Sequence, residues 1–248
     1  MQRGFLAVSL SAGIAVAGAA FPGPVDVVDL RSVQRGGPAA TPLHAVPGLL
    51  EMPASANDVP PMVFTVVTTR TDEHGTRRVS KQTVTRTIDR IRLVPDGSQR
   101  EWLFERNPVD PRRISGYLID HRARQILVHQ ESDLRNREQL RGWADAWFMR
   151  FEPRQLSGMR RTKETVAIGG ATFARYIGGG ASGEAEEVLW SDRYLLPGQL
   201  TFREAAVVTI SRIENLKFPS RTPDLGDPRA LYPQYQVLDL ADVGDDRH

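Results

Sequence analysis

The chain has 248 residues, a formal net charge of +2 and a charged fraction of 25%, which is the composition of an ordinary globular protein. Most of its positive charge is arginine, but the arginines alternate with acids, as in Asp-Arg-Ile-Arg at positions 89–92, and form no basic stripe. This pattern argues against nucleic acid as a partner. Arginine also holds phosphate or carboxylate through paired hydrogen bonds, so an anionic headgroup or an acidic partner stays open.

The first twenty residues have the organisation of a secretory signal peptide. Arg3 is followed by an uncharged apolar run over residues 5–16 and by small residues at 17–19, which predicts cleavage after Ala19 or Ala20. A transmembrane anchor is the rival interpretation, but the run is shorter than the roughly 20 residues that span a bilayer. The chain has no cysteine, which argues against a lipoprotein and excludes disulfides. We therefore expect a periplasmic or secreted protein without a stable membrane anchor.

Composition divides the rest of the chain into three parts. Residues 21–61 are rich in Pro, Gly and Ala and are predicted to form an extended leader or linker. Residues 62–218 carry the strand and helix patterns of a single domain, large enough to bury a core without disulfides. Residues 219–248 form a tail that is rich in proline and ends in acidic residues.

The first half of the domain is predicted to be a meander of short strands. Residues 62–71 and 77–87 are rich in β-branched residues and flank a turn at 72–75, which indicates a hairpin. Further strands are predicted at 91–94, 101–106, 114–120 and 125–130. In the second of these, Trp102 and Phe104 face one side and Leu103 faces the other.

A helical pattern interrupts the strands at residues 133–151. Its apolar residues recur at intervals of three and four, which lines one face of a helix. They are Leu140, Trp143, Ala144, Trp147, Phe148 and Phe151. Ser132 is the predicted N-cap, and Pro153 ends the helix. This face either packs as core against the sheet or forms one wall of a lipid-sized pocket.

Strands are predicted again at 163–168, 171–177, 186–190 and 200–210. Gly169-Gly170 joins the first two as a two-residue hairpin turn, because both residues tolerate positive φ. The order of strands, one helix and strands predicts an α+β domain built on an antiparallel sheet.

No residue pattern in the chain predicts catalysis. The glycines at 178–183 fit G-x-G-x-x-G, but a strand follows them instead of the helix that a phosphate site requires. Neither a G-x-S-x-G nucleophile motif nor a histidine spacing typical of a metal site occurs. We expect a protein that is not an enzyme, with no catalytic residues, metal or cofactor. A hydrolase with an unrecognised site would need His121, His129 and carboxylates to cluster in a cleft.

Several short sequences occur in the order found in LolA-like periplasmic proteins. They are the hairpin at residues 164–171 with its turn glycines, Tyr176, Glu-Val-Leu-Trp-Ser-Asp at 187–192 and Leu196-Pro197. Gly-Tyr-Leu-Ile-Asp at 116–120 is similar to the short repeated strands of that family. The domain at 62–218 therefore resembles the LolA-like family.

The resemblance implies a strongly curved antiparallel half-barrel, whose open side is closed by helices over an apolar cavity. The family includes the carrier of outer-membrane lipoproteins, mycobacterial lipid-handling proteins and a sensor domain that restrains an envelope stress pathway, and none of these is an enzyme. This chain has one clear helix, so we expect a smaller lid, and lipoprotein carriage itself stays open. The phase of the strands and helix assigns these residues to the cavity: Trp102, Phe104, Tyr117, Trp143, Trp147, Phe151 and Trp190.

Two classes of function follow. The leading hypothesis is a monomeric periplasmic protein that binds or carries an acyl chain or another apolar ligand by removing its surface from water. The alternative is an envelope interaction or regulatory module with a filled core, whose sheet edges or loops dock a protein partner. A large pocket lined by the aromatic residues would support the first, and a filled core with an exposed apolar patch would support the second.

Overall fold

The computed structural model describes residues 59–137, 140–178 and 185–240. The predicted signal peptide, the linker up to residue 58, most of the glycine loop at 178–183 and the last eight residues lie outside these ranges. The strands are β1 (Met62–Thr71), β2 (Arg77–Arg86), β3 (Arg90–Pro95), β4 (Arg100–Arg106), β5 (Ile114–Asp120), β6 (Gln125–His129), β7 (Arg160–Ile168), β8 (Ala171–Ile177), β9 (Ala185–Ser191), β10 (Leu196–Glu204), β11 (Val207–Lys217) and β12 (Gln236–Asp239). The helices are α1 (Glu131–Arg137), α2 (Trp143–Trp147), a 3-10 helix (Pro153–Gly158) and α3 (Pro228–Leu231). None of these helices has the apolar length that a membrane span requires.

The described strands form one open sheet with the order β12-β6-β5-β4-β3-β2-β1-β11-β10-β9-β8-β7. Neighbours are antiparallel except β12, which runs parallel to β6. The sheet is strongly curved. The Gly169-Gly170 turn that joins β7 and β8 contacts Leu216 of β11, although β9 and β10 lie between β8 and β11. The helical segment between β6 and β7 packs on one face of this sheet, which confirms the predicted α+β class. This is also the architecture that the resemblance to LolA-like proteins implied.

Alternation along the strands separates two apolar layers. On the face that packs against the helical segment, here called the inner face, Phe64, Val84 and Phe104 belong to the main core. On the opposite, outer face, a smaller cluster forms around Leu103 and Ile126. The predicted alternation in β4 is therefore confirmed, with Trp102 and Phe104 on the inner face and Leu103 on the outer one.

The segment predicted as one helix over residues 133–151 consists of short separate pieces. Helix α1 begins at Glu131, before the predicted N-cap Ser132, and α2 begins only at Trp143. The Trp143 N–H donates to the Arg112 carbonyl at 3.0 Å, and a Cβ on Gly142 would lie 2.7 Å from that oxygen. This close approach requires glycine, and the backbone that makes it cannot also continue the helix.

The fold continues past residue 218 into the proline-rich tail. Residues 219–240 cross the outer face and end in β12, which pairs with β6. Leu225, Tyr232 and Tyr235 pack on the outer cluster, and Arg90 Nη1 donates to the Leu225 carbonyl at 2.7 Å. The tail thus covers apolar surface of the sheet that would otherwise face water.

Gly169 and Gly170 form a matched pair that tests the curvature of the sheet. Both have positive φ, 55° and 82°, so alanine strains the backbone at both positions. An added Cβ meets nothing within 4 Å at Gly170, but at Gly169 it overlaps the Leu216 carbonyl. We expect Gly169→Ala to lower the free energy of unfolding by about 1–3 kcal/mol more than Gly170→Ala, the range for overpacking. Urea unfolding measures both, and equal losses would contradict the contact between the turn and β11.

Candidate functional site

The inner face and the segment after α1 enclose an aromatic interior. We call residues 140–159, which contain α2 and the 3-10 helix, the helical cover. Six of the predicted cavity residues are buried together here: Trp102, Phe104, Trp143, Trp147, Phe151 and Trp190. Trp143 and Trp147 have ring centroids 6.0 Å apart, and Phe151 and Trp190 have centroids 5.8 Å apart. The structure therefore brings residues from the sheet and from the cover into one cluster.

Tyr117 does not belong to this interior, which corrects its assignment to the cavity. It lies opposite Leu103 across β4 and β5, on the outer face, where both side chains join the outer cluster. Gly116 takes the adjacent inward position. Its missing side chain leaves room for Leu134 of α1, whose Cδ2 would lie 2.9 Å from an added Cβ. The register of β5 against β4 decides which face Tyr117 takes.

Among the described residues, the chain's own side chains leave a cavity of about 10 Å³ between the sheet and the cover, which is the room of a single water molecule. Gln82 and Arg86 of β2 bound this cavity from the sheet, and Ala146, Trp147 and Met149 bound it from the cover. This cavity, as the described residues bound it, is too small for an acyl chain.

A buried arginine holds the helical cover against the sheet. Arg86 of β2 is 1% exposed. Its Nη1 donates to the Trp147 carbonyl at 3.0 Å, and its Nη2 donates to the Tyr194 carbonyl at 2.9 Å. The guanidinium also lies 4.0 Å from the centroid of the Trp147 ring, a cation–π distance. One side chain thus ties α2 to β2 and to the turn between β9 and β10.

Arg86 forms no ion pair with any carboxylate that the structure describes. Burial lowers the pKa of its guanidinium to about 9. The group is still protonated at neutral pH. A buried cation whose described partners are two carbonyls, the Met62 sulfur and an aromatic ring makes the closed interior less stable than an apolar one of the same shape.

Four polar atoms of the interior have no hydrogen-bond partner among the described residues: Arg86 Nε, Gln82 Oε1, Trp143 Nε1 and Trp147 Nε1. Each buried polar atom that is left unpaired costs roughly 1–3 kcal/mol. Gln82 and Arg86 line the same cavity, so the Gln82 Oε1 acceptor and the Arg86 Nε donor that lack partners belong to residues on one cavity wall. The interior therefore offers hydrogen bonds that the closed chain does not use.

The turn that follows α2 is strained. Met149 and Arg150 have φ of 54° and 63°, in the left-handed region that favours glycine. Each residue held there costs about 1–3 kcal/mol. The Arg150 N–H donates to the Asp145 carbonyl at 2.6 Å, which keeps the turn against the end of α2. Strain beside the cavity lowers the free energy needed to move α2.

The two histidines of the hydrolase hypothesis lie apart. His129 is buried on the inner face, with its ring centroid 4.8 Å from that of Trp102. His121 lies on the outer side, where its Nδ1 is 3.0 Å from the Tyr235 hydroxyl. The described part of the chain contains no group of three His, Asp or Glu side chains placed to hold a metal ion. These histidines do not form the cleft that the hypothesis requires.

Solved structures provide several similar proteins. An uncharacterised conserved protein from Thermus thermophilus is 12% identical, with a TM-score of 0.41, and the match covers 74% of this chain and 92% of that one. MucB is 16% identical with a TM-score of 0.41, over 68% of this chain and 57% of that one. A putative outer membrane lipoprotein-sorting protein domain from Vibrio parahaemolyticus is 10% identical with a TM-score of 0.32, over 70% of this chain and 91% of that one.

No family model and no curated protein matches the chain. The match to MucB spans little more than half the length of that protein. At these identities, the likeness concerns the backbone, and only the chain's own residues bear on its function.

Arg86→Met is expected to loosen the helical cover more than the sheet. Methionine keeps apolar volume but leaves the Trp147 and Tyr194 carbonyls without a donor, which costs roughly 1–3 kcal/mol for each group. Hydrogen exchange followed by mass spectrometry measures the effect. We expect faster exchange at residues 143–148 and unchanged exchange in β4 and β5.

The matched control is Arg92→Met. Arg92 lies on the outer face, on the side of the sheet opposite the cover. Its Nη2 forms an ion pair with Glu101 Oε2 at 2.6 Å. We expect this variant to leave exchange in residues 143–148 at the wild-type rate. Equal acceleration of the cover and the sheet in Arg86→Met would contradict the role of Arg86 in holding the cover.

Proposed function

We propose that this chain is a non-enzymatic periplasmic protein that binds or carries an apolar ligand, of the acyl-chain or lipid type, beneath the helical cover. One observation carries the proposal: buried, uncompensated Arg86 fastens the cover over an aromatic interior. Buried arginines without a charged partner are uncommon in filled cores. A cover that must open for a ligand needs a contact of this kind, specific in geometry and reversible.

The aromatic interior supplies the attraction for the ligand. Burial of apolar surface contributes about 25 cal/mol per Å². Trp102, Trp143 and Trp147 pack in one cluster in the closed state. An acyl chain between the sheet and the cover would replace part of the contacts that these side chains make with one another. The free energy of binding is the gain from burying the chain less the free energy of opening the cover.

Opening breaks the Arg86 hydrogen bond to the Trp147 carbonyl and separates buried Trp143 and Trp147 of α2 from the main core. Relaxation of the turn at Met149 and Arg150 offsets part of that loss. In the open state, the guanidinium and the Gln82 amide form hydrogen bonds with water or with the ligand. Arg86 Nε and Gln82 Oε1 have no partner in the closed state.

The small size of the cavity among the described residues favours a second function, an envelope interaction or regulatory module. The cavity of about 10 Å³ holds no ligand larger than water in this conformation. Strand β7 lies at the edge of the sheet with most of its residues exposed, and Val166 is 38% exposed. A partner's strand pairs readily with such an edge. In this function Arg86 is a fixed structural contact.

Ligand affinity of Arg86→Met separates the two functions. If Arg86 holds the cover closed against the ligand, its removal lowers the free energy of opening and raises the apparent affinity. We expect a 16-carbon fatty acid to bind the variant about fivefold more tightly than the wild type, the factor given by about 1 kcal/mol. Displacement of a fluorescent fatty acid measures both affinities, and native mass spectrometry counts the bound ligand.

Arg92→Met again serves as the control, with wild-type affinity expected. Absence of any fatty acid or lipid uptake by the wild type and by Arg86→Met would contradict ligand binding and leave the interaction module. Reduced affinity in Arg86→Met, in proportion to its loss of stability, would also contradict the proposed role of the cover.

The proposed periplasmic location has its own test. Signal peptidase cleavage after Ala19 or Ala20 removes the apolar run at residues 5–16. We expect the intact mass of the protein from a periplasmic fraction to correspond to a chain beginning at Ala20 or Phe21. A full-length mass in the membrane fraction would contradict export with cleavage.

A further inference from the structure

The inner face of β1 and β2 becomes more polar and more exposed toward the turn that joins the two strands. Every second residue of a strand points to the same face. The residues of β2 on this face, from the core outward, are Arg86, Val84, Gln82, Ser80 and Arg78. Arg78 lies directly opposite Arg70 of β1. The face therefore runs from the buried interior to two exposed arginines at its solvent end.

The pairing of Arg70 with Arg78 places two like charges opposite each other, an arrangement that destabilises an antiparallel pair. No carboxylate of the described residues forms an ion pair with either side chain. Two adjacent and uncompensated guanidinium groups on one face indicate a site for an anion.

The acids of the neighbouring turn are engaged elsewhere. Asp72 Oδ1 accepts hydrogen bonds from the backbone N–H groups of His74 at 3.0 Å and Thr76 at 2.8 Å. Glu73 Oε1 lies 3.4 Å from His74 Nε2. Asp72 therefore shapes the turn, and neither carboxylate forms an ion pair with Arg70 or Arg78.

A row of hydroxyl groups separates the arginine pair from the apolar interior. Ser80, Thr68 and Ser211 are neighbours across β2, β1 and β11. Thr68 Oγ1 and Ser211 Oγ are 2.8 Å apart. In the outermost row, half-buried Phe202 lies on the same face as Arg70 and packs on the main core. Along β1 and β2, the residues on this face therefore change from apolar to hydroxyl to cationic.

We propose that Arg70 and Arg78 bind the anionic headgroup, a phosphate or a carboxylate, of a single-chain amphiphile whose apolar chain lies beneath the helical cover. This inference rests on the proposed function and adds the class and the orientation of the ligand. The headgroup stays at the solvent end of the inner face, beside the hydroxyl row, and the chain points toward the aromatic interior.

The geometry fits one small anion. Cβ atoms of directly opposed residues are about 5 Å apart, so both guanidinium groups reach the oxygens of one headgroup. Guanidinium binds phosphate and carboxylate through two parallel hydrogen bonds. Arg78 is four residues from Gln82, which bounds the cavity, so the anion site lies about 13 Å along the strand from the closed cavity. An anion there also removes the repulsion between the two arginines.

A chain-matched pair of amphiphiles tests the inference. Palmitoyl lysophosphatidic acid and 1-palmitoylglycerol differ only in the phosphate, and their affinities are measured by displacement of a fluorescent fatty acid or by native mass spectrometry. We expect the wild type to prefer the phosphorylated ligand by about tenfold or more, the factor given by one charge-assisted hydrogen bond. Arg70→Gln/Arg78→Gln should abolish that preference and leave the affinity for 1-palmitoylglycerol unchanged.

Arg77→Gln/Lys81→Gln is the matched control, because it removes the same charge from the outer face of the same hairpin. We expect it to keep the preference for the phosphorylated ligand. A wild type that binds both amphiphiles equally, or a control that loses the preference, would overturn the headgroup site while leaving the proposed function intact. Inorganic phosphate that binds as tightly as the amphiphile would also overturn it. Binding of neither amphiphile would overturn the proposed function together with this inference.

Discussion

The closed state of this protein depends on the burial of one cation between two layers. Arg86 leaves β2 on the inner face and reaches the backbone carbonyls of α2 and of the turn between β9 and β10. The Trp147 carbonyl lies at the C-terminal end of α2, where backbone acceptors are left without partners, and the Tyr194 carbonyl lies in the turn between β9 and β10. The guanidinium satisfies them, but its own desolvation is uncompensated by any described carboxylate. Arg86 therefore adds a contact of definite geometry to the apolar packing of the helical cover.

The curvature of the sheet and the position of Gly142 bring Arg86 and its two carbonyl partners together. Curvature of the sheet brings β9 and β10 around to the helical cover, so that residues of β2 and Tyr194 meet across the interior. Gly142 allows the backbone to approach Arg112, and the close approach turns α2 down onto the sheet. On the other face, the C-terminal segment covers the outer cluster. The proposed opening of the cover therefore concerns the inner face alone.

Local patterns predicted the strands and the composition of the aromatic interior. Trp102 and Phe104 were placed correctly, because alternation within one strand fixes which side chains share a face. Tyr117 was misplaced, since its face depends on the register with β4, which a single strand does not encode. The helix break at Gly142 depends on a carbonyl thirty residues earlier in the chain. Arg86 was missed because β2 is polar along most of its length; the only local signal is its i+2 spacing from Val84.

A crystal structure of the wild-type protein with a bound 16-carbon fatty acid would show whether the helical cover opens for a ligand. We expect an acyl chain between the inner face and the helical cover, with α2 displaced and the Arg86 hydrogen bond to the Trp147 carbonyl broken. We also expect the turn at Met149 and Arg150 to leave the left-handed region. An acyl chain bound elsewhere, with the cover and the Arg86 contacts unchanged, would contradict this opening.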